Sequence, residues 1–239
     1  MRKAPFAACL PCLLTCATAL GAEASAVSVA TNGGSASSTA TATGRAISNA
    51  YSAATNGGRA IADSHADGRG NALAVSNSVA LADRGLAVSN SRAQALAGYF
   101  GAARARSDSI AATVGGVAIS NSDARAGAFW GGLAQADSIS TATSVGGVAI
   151  SDGAAISDGR FGGRAVSISD SVADTWGGLS ESRVRAVSGA AHFGRAHVNG
   201  IGVSMSGYRR ASRANVRAEG RAYNHGLSRV RVAAVEFRD

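Results

Sequence analysis

From Gly70 to Gly194 the last glycine of each turn recurs at Gly70, Gly85, Gly101, Gly116, Gly132, Gly147, Gly163, Gly178 and Gly194, at intervals that alternate strictly between 15 and 16 residues. The true unit is therefore 31 residues made of two unequal halves, a signature of a repeat architecture. Within each half the period is two, the period of a β-strand. After Gly70 the alternate positions are Ala72, Ala74, Ser76, Ser78, Ala80 and Ala82; after Gly85 they are Ala87, Ser89, Ser91, Ala93, Ala95 and Ala97. A strand of about 12 residues spans roughly 40 Å, and the absence of proline from the array suits an unbroken ladder.

The face opposite the small residues is mixed. One strand carries Val117, Ile119, Asn121, Asp123 and Arg125, and the one before it Arg104, Arg106 and Asp108. Burying those charges without partners would cost several kcal/mol each, so the small face points inward. Two sheets meeting through Ala, Ser and Gly approach more closely than the usual ~10 Å. Their buried serine hydroxyls then need neighbouring serines or carbonyls one strand away as partners.

Two topologies fit. In an all-β, flattened two-sheet β-solenoid with 31-residue coils, strand n pairs with n+2 and the small-residue interior buries itself. In a long-stranded antiparallel β-meander, strand n pairs with n+1 and something else must cover the small face. The first is favoured, and it sets Arg92 beside Asp123, Arg106 beside Asp137 and Asp152 beside Arg183 in successive coils. Such pairs are each worth a fraction of a kcal/mol.

Composition agrees with backbone pairing as the organising force. Aromatics are 5% of the chain, so a conventional core of large apolar side chains cannot be assembled. The corners alternate in character. One edge carries an aromatic before its glycine, giving the edge set Tyr99, Phe100, Phe129, Trp130, Phe161 and Phe193. Repeated every coil, these rings would stack along that edge.

The ends differ from the array. Residues 1–24 read as a secretory signal peptide, with Arg2 and Lys3 ahead of a short apolar run. That run is too short for a membrane span. It holds all three cysteines, both prolines and the only lysine, so the mature chain has no disulfide or thiolate chemistry. Residues 25–69 are irregular N-terminal repeats, residues 70–206 the regular array, and residues 207–239 an Arg-rich C-terminal strand or cap. With the leader removed, 21 basic residues face 14 or 15 acids. That balance permits contact with polyanions such as acidic polysaccharide. The sharper candidate for such contact is Arg209, Arg210, Arg213, Arg217 and Arg221, with Tyr208 and Tyr223 nearby. The alternative is a charged edge strand that prevents further pairing.

Catalytic and metal chemistry finds no constellation here. The histidines His65, His192, His197 and His225 are scattered without carboxylates at ligand spacing. No serine sits in a nucleophile elbow and no phosphate loop occurs. The expectation is a non-enzymatic protein without cofactor. The 16-residue spacing and "AGY" resemble bacterial ice-nucleation repeats, and "GGVAIS" resembles head repeats of trimeric autotransporter adhesins. The Thr-x-Thr of the first family and the spacing of the second are missing, so no residue role is carried over.

The leading expectation is a secreted or cell-surface structural protein that self-associates as matrix, fibre or adhesive component. Its motive is an outward aliphatic stripe of Leu86, Val88, Val117, Ile119, Val148 and Ile150. An ice-binding solenoid is a second expectation, resting on Thr39, Thr41 and Thr43 and on Thr141 with Thr143. A polyanion-binding surface module is a third.

Overall fold

The computed structural model describes residues 23–31, 34–43, 46–70, 72–207 and 211–238. The expected leader falls largely in residues 1–22, and Arg209 and Arg210 also lie outside the described residues. Among the described residues fifteen strands form two parallel sheets. The eight-stranded sheet contains β1 (Glu23–Ala30), β3 (Ala46–Ala54), β5 (Ala72–Asp83), β7 (Ala102–Val114), β9 (Leu133–Val145), β11 (Arg164–Trp176), β13 (Arg195–Gly207) and β15 (Leu227–Arg238). The seven-stranded sheet contains β2 (Ser35–Thr43), β4 (Arg59–Arg69), β6 (Leu86–Tyr99), β8 (Val117–Phe129), β10 (Val148–Gly159), β12 (Leu179–Ala191) and β14 (Ser212–Tyr223). Every strand pairs in parallel with the strand two places on, which is the β-solenoid and excludes the meander.

Register gives the coil length directly. Glu23 pairs with Ile47, 24 residues on, and Ala46 with Ala74, 28 on. From Ala72 with Ala103 the offset is 31, and it holds until Ser180 pairs with Ser212 and Arg195 with Leu227, each 32 on. The irregular N-terminal repeats are thus shorter turns of the same coil, with strands of eight and nine residues.

Burial alternates along each strand as the small-residue pattern requires. Ala118, Ser120, Ser122, Ala124, Ala126 and Ala128 of β8 are all buried, while their odd-numbered neighbours face outward. The interior is threaded by serines. Ser89 donates to the Ser78 carbonyl, Ser109 to that of Ser89, Ser120 to Ser109, Ser140 to Ser120, Ser151 to Ser140, Ser171 to Ser151 and Ser182 to Ser171, at 2.7–2.8 Å. Each bond crosses from one sheet to the backbone of the other, and at Ser89, Ser109, Ser140 and Ser171 the hydroxyl of the same facing serine is a second partner at 2.9 Å. A separation bridged by one serine side chain is well under the ~10 Å of ordinary stacked sheets.

A second serine thread, Ser107 to Ser91 and Ser138 to Ser122, ends where Gly153 takes the serine's place. Its next member, Ser169, is left with a buried hydroxyl that has no hydrogen-bond partner. Beyond it the interior turns to valine. A Cβ on Gly200 would lie 3.2 Å from both Val184 and Val216, so the glycines of β13 make room for larger side chains opposite. The contrast is testable by denaturant unfolding. Ser140→Ala, which removes bonds of 2.7 and 2.9 Å to Ser120, is expected to destabilise by about 1 kcal/mol, while Ser169→Ala is expected to be neutral or stabilising.

The two glycines of each "GG" corner have different jobs. The first, such as Gly146 with φ +71°, takes a left-handed conformation. The second packs against the coil below: a Cβ on Gly147 would overlap the Gly116 carbonyl oxygen, which accepts a 3.0 Å bond from Val148 N–H.

Candidate functional site

With the interior filled, function belongs to the outward faces, and parallel in-register pairing turns each outward position into a row along the axis. The expected aliphatic stripe forms two such rows, Leu86–Val117–Val148 and Val88–Ile119–Ile150. Leu179 extends the first, and Ile61 begins the second. The second stops at Glu181.

The eight-stranded sheet carries a longer row that the sequence reading missed. Val27, Tyr51, Val79, Ile110, Thr141, Val172, Val203 and Val235 succeed one another across all eight strands. Val114, Val145 and Trp176 form a shorter row at the strand ends. These positions were scattered among threonines and arginines in the sequence. Only the strand register, including the shorter N-terminal offsets, reveals their alignment. The apolar surface therefore wraps the valine–glycine corner from both sheets. At its crest Val114 is 54% exposed, Val145 51%, Trp176 66% and Leu179 48%.

The opposite corner carries the aromatics. Trp130, Phe161 and His192 stack in order, at 4.5 Å and 12° and then 4.9 Å and 2°. Phe193 stacks on His225 at 5.6 Å. Phe129 stands outside both stacks, with the Arg160 guanidinium 5.2 Å from its ring centre. The side chain of Tyr99 lies outside the described residues, and Phe100 is largely exposed. Trp130, Phe161 and His192 hold φ of +49°, +52° and +51°, a conformation that costs of order 1 kcal/mol for such residues. Ring stacking offsets a comparable amount. This makes the ladder a structural feature of the corner.

Charges are arranged mostly along single strands. Arg106 turns to Asp108 at 2.9 Å and away from its register neighbour Asp137, while Arg125 reaches Asp123 at 2.9 Å and Arg183 reaches Glu181 at 2.8 Å. The coil-to-coil pairs are looser, with Arg92–Asp123 at 3.7 Å and Arg183–Asp152 at 4.0 Å. All are surface pairs of small individual worth. Burial pushes the Asp152 carboxyl above its ordinary value, with Arg183 pulling it back and Glu181 pushing it further up.

No protein-family model, curated protein or solved structure matches this chain.

Across the seven-stranded sheet, beside the aliphatic rows, runs a polar groove of about 760 Å³ that reaches from Thr39 on β2 to Asn215 and Arg217 on β14. Its axis is a row of Asp63, Asn90, Asn121, Asp152 and Arg183 in register. Asn121 donates to Asn90 at 2.8 Å and Asn90 to Asp63 at 2.6 Å. Among the arginines expected to meet a polyanion, Arg213, Arg217 and Arg221 all project from the outer face of β14. Arg221 is held by Glu219 at 2.5 Å, whereas Arg217 lies beside Arg185 of β12, a neighbour not anticipated from the sequence. The threonines do not assemble into a rank. Thr39 and Thr41 are next to Asp63 and His65, and Thr141 stands between Ile110 and Val172 on the other sheet. Among the described residues no three His, Cys, Asp or Glu side chains are grouped closely enough to hold a metal ion.

Proposed function

We propose that this chain is a secreted or cell-surface structural repeat protein, non-enzymatic, that self-associates through its valine–glycine corner. The observation that supports this reading is the continuity of the apolar surface around that corner. Rows from both sheets converge on Val114, Val145, Trp176 and Leu179, and contiguous apolar patches of this kind mark interaction surfaces.

The occupant of the surface is a second copy of the chain. The eight-stranded row is about 34 Å long at ~4.8 Å per strand. A belt some 20 Å wide around it offers about 700 Å², close to the ~800 Å² per partner of a stable interface. Two copies also carry rows of identical spacing, so apposed ridges and gaps keep step along their whole length. Between Leu81, Ala112, Thr143, Asp174 and Trp176 the belt is hollowed into a trough of about 410 Å³, with Asp174 its one charged side chain. The exposed indole beside that trough is the kind of anchor that dominates such contacts.

Sedimentation of the mature protein at about 100 µM is expected to show dimers or larger species. The double substitution Val145→Asp with Trp176→Ala is expected to leave monomers with the parent's β-sheet circular dichroism. Phe100→Ser, at the opposite corner, should leave assembly unchanged. A parent that stays monomeric at that concentration would remove the reading.

A further inference from the structure

We propose that the polar groove on the seven-stranded sheet is a binding site for an extended acidic polysaccharide, and that Arg185 and Arg217 receive one of its anionic groups. The groove crosses β2 to β14, about 29 Å at ~4.8 Å per strand, and that spacing is close to the length of one pyranose in an extended glycan. A linear sugar polymer lying along the axis would meet the outward side chains of one strand at each residue.

The chemistry changes along the groove in a way that selects the polymer. Its N-terminal two thirds present Asp63, Asn90, Asn121 and Asp152, with His65, Arg92 and Asp123 beside them and Arg92 ion-paired to Asp123. The amides and carboxylates there exchange hydrogen bonds with hydroxyl groups. The C-terminal third is cationic. Arg185 and Arg217 are register neighbours on β12 and β14, and among the described residues neither is ion-paired. Like charges side by side on adjacent strands are unfavourable, and an anion between them reverses the sign of that interaction. Two guanidinium forks are matched to carboxylate or sulfate geometry.

Nucleic acid is a poorer fit. Among the described residues the groove is lined by no Phe, Tyr or Trp and by one imidazole, His65, where single-strand binders use a succession of aromatic platforms. A glycan needs no stacking platform, and its hydroxyls can exchange hydrogen bonds with the amides and carboxylates of the groove.

The test is calorimetric titration of the mature protein with an oligogalacturonate and with a heparin-derived oligosaccharide. The first carries carboxylates alone and the second also carries sulfates, so the two arms identify the anion. A neutral cello-oligosaccharide and single-stranded DNA of similar length serve as comparisons. At least one acidic glycan is expected to bind at least tenfold more tightly than either comparison ligand. Arg185→Gln with Arg217→Gln is expected to weaken that binding at least tenfold. Arg164→Gln with Arg195→Gln removes the same charge from a neighbouring arginine pair on the other sheet, and is expected to change it less than twofold. Repeating the titration on the Val145→Asp, Trp176→Ala variant separates failure of this site from failure of self-association. Absence of binding by both acidic glycans would overturn the proposal. So would equal binding of DNA or the neutral glycan, or equal losses from the two arginine pairs.

Discussion

Replacing Gly147 with alanine is expected to destabilise the protein by about 3 kcal/mol or more, at the upper end of what overpacking costs. The same replacement at Gly146 is expected to cost only about 1 kcal/mol. The order is the opposite of what backbone conformation alone would give, because Gly146 is the residue with positive φ and Gly147 is not. At Gly147 the obstacle is the coil beneath. A Cβ there would occupy the space of the Gly116 carbonyl oxygen, and backbone cannot swing aside as a flexible side chain can. The same contact recurs at Gly116 over Gly85 and at Gly178 over Gly147. Moving one corner therefore strains its neighbours as well as the hydrogen bond from Val148 to Gly116. Denaturant midpoints of the two variants, measured together, decide the matter. Equal losses would show that close stacking of the corners is not what demands the second glycine.

Ala142→Leu is expected to have an effect of similar size, about 3 kcal/mol, by a different route. Ala142 is fully buried in β9, two residues from both Ser140 and Ser144. The three added carbons have no free volume to enter and must push the sheets apart. The Ser140 bond to the Ser120 carbonyl, 2.7 Å long, and the one from Ser151 to the Ser140 carbonyl, 2.8 Å, then stretch together. Because coupling passes from coil to neighbouring coil, the expected sign is a lower thermal midpoint with a broader transition. Amide exchange should quicken in β8, β9 and β10 before the outer coils. A variant with the parent's melting curve would show an interior looser than these distances imply.

The architecture was legible because its causes are local and repeated. The alternation of Ala118, Ser120, Ser122 and Ala124 states which face is inside, and charges such as Arg104 and Asp108 state which face cannot be. The 31-residue spacing then implies register within the regular array, which is why Arg92 could be set beside Asp123. What escaped depends on geometry that one sequence does not spell out. The row from Val27 to Val235 crosses coils of 24, 28, 31 and 32 residues, so a fixed period loses it at both ends. Arg106 was placed correctly in register, yet its guanidinium prefers Asp108 on its own strand. The groove is a property of side-chain heights in adjacent rows, low amides beside tall aliphatics and arginines. Arg185 looked like one of many interspersed cations until β12 and β14 brought it against Arg217.

The lengthening of the coil from one end to the other gives the molecule a polarity that governs how copies can add. The leading strand β1 has eight residues and the final strand β15 twelve, so a copy laid end to end would offer a short template to a long one. The far end is also obstructed, since Glu236 accepts a 2.9 Å hydrogen bond from the backbone N–H of Ala214 on the last strand of the other sheet. Under the proposed self-association, growth along the axis is thereby disfavoured, and copies add side by side through the valine–glycine corner. One self-complementary patch per copy closes as a two-fold pair, so a larger array would need a second face.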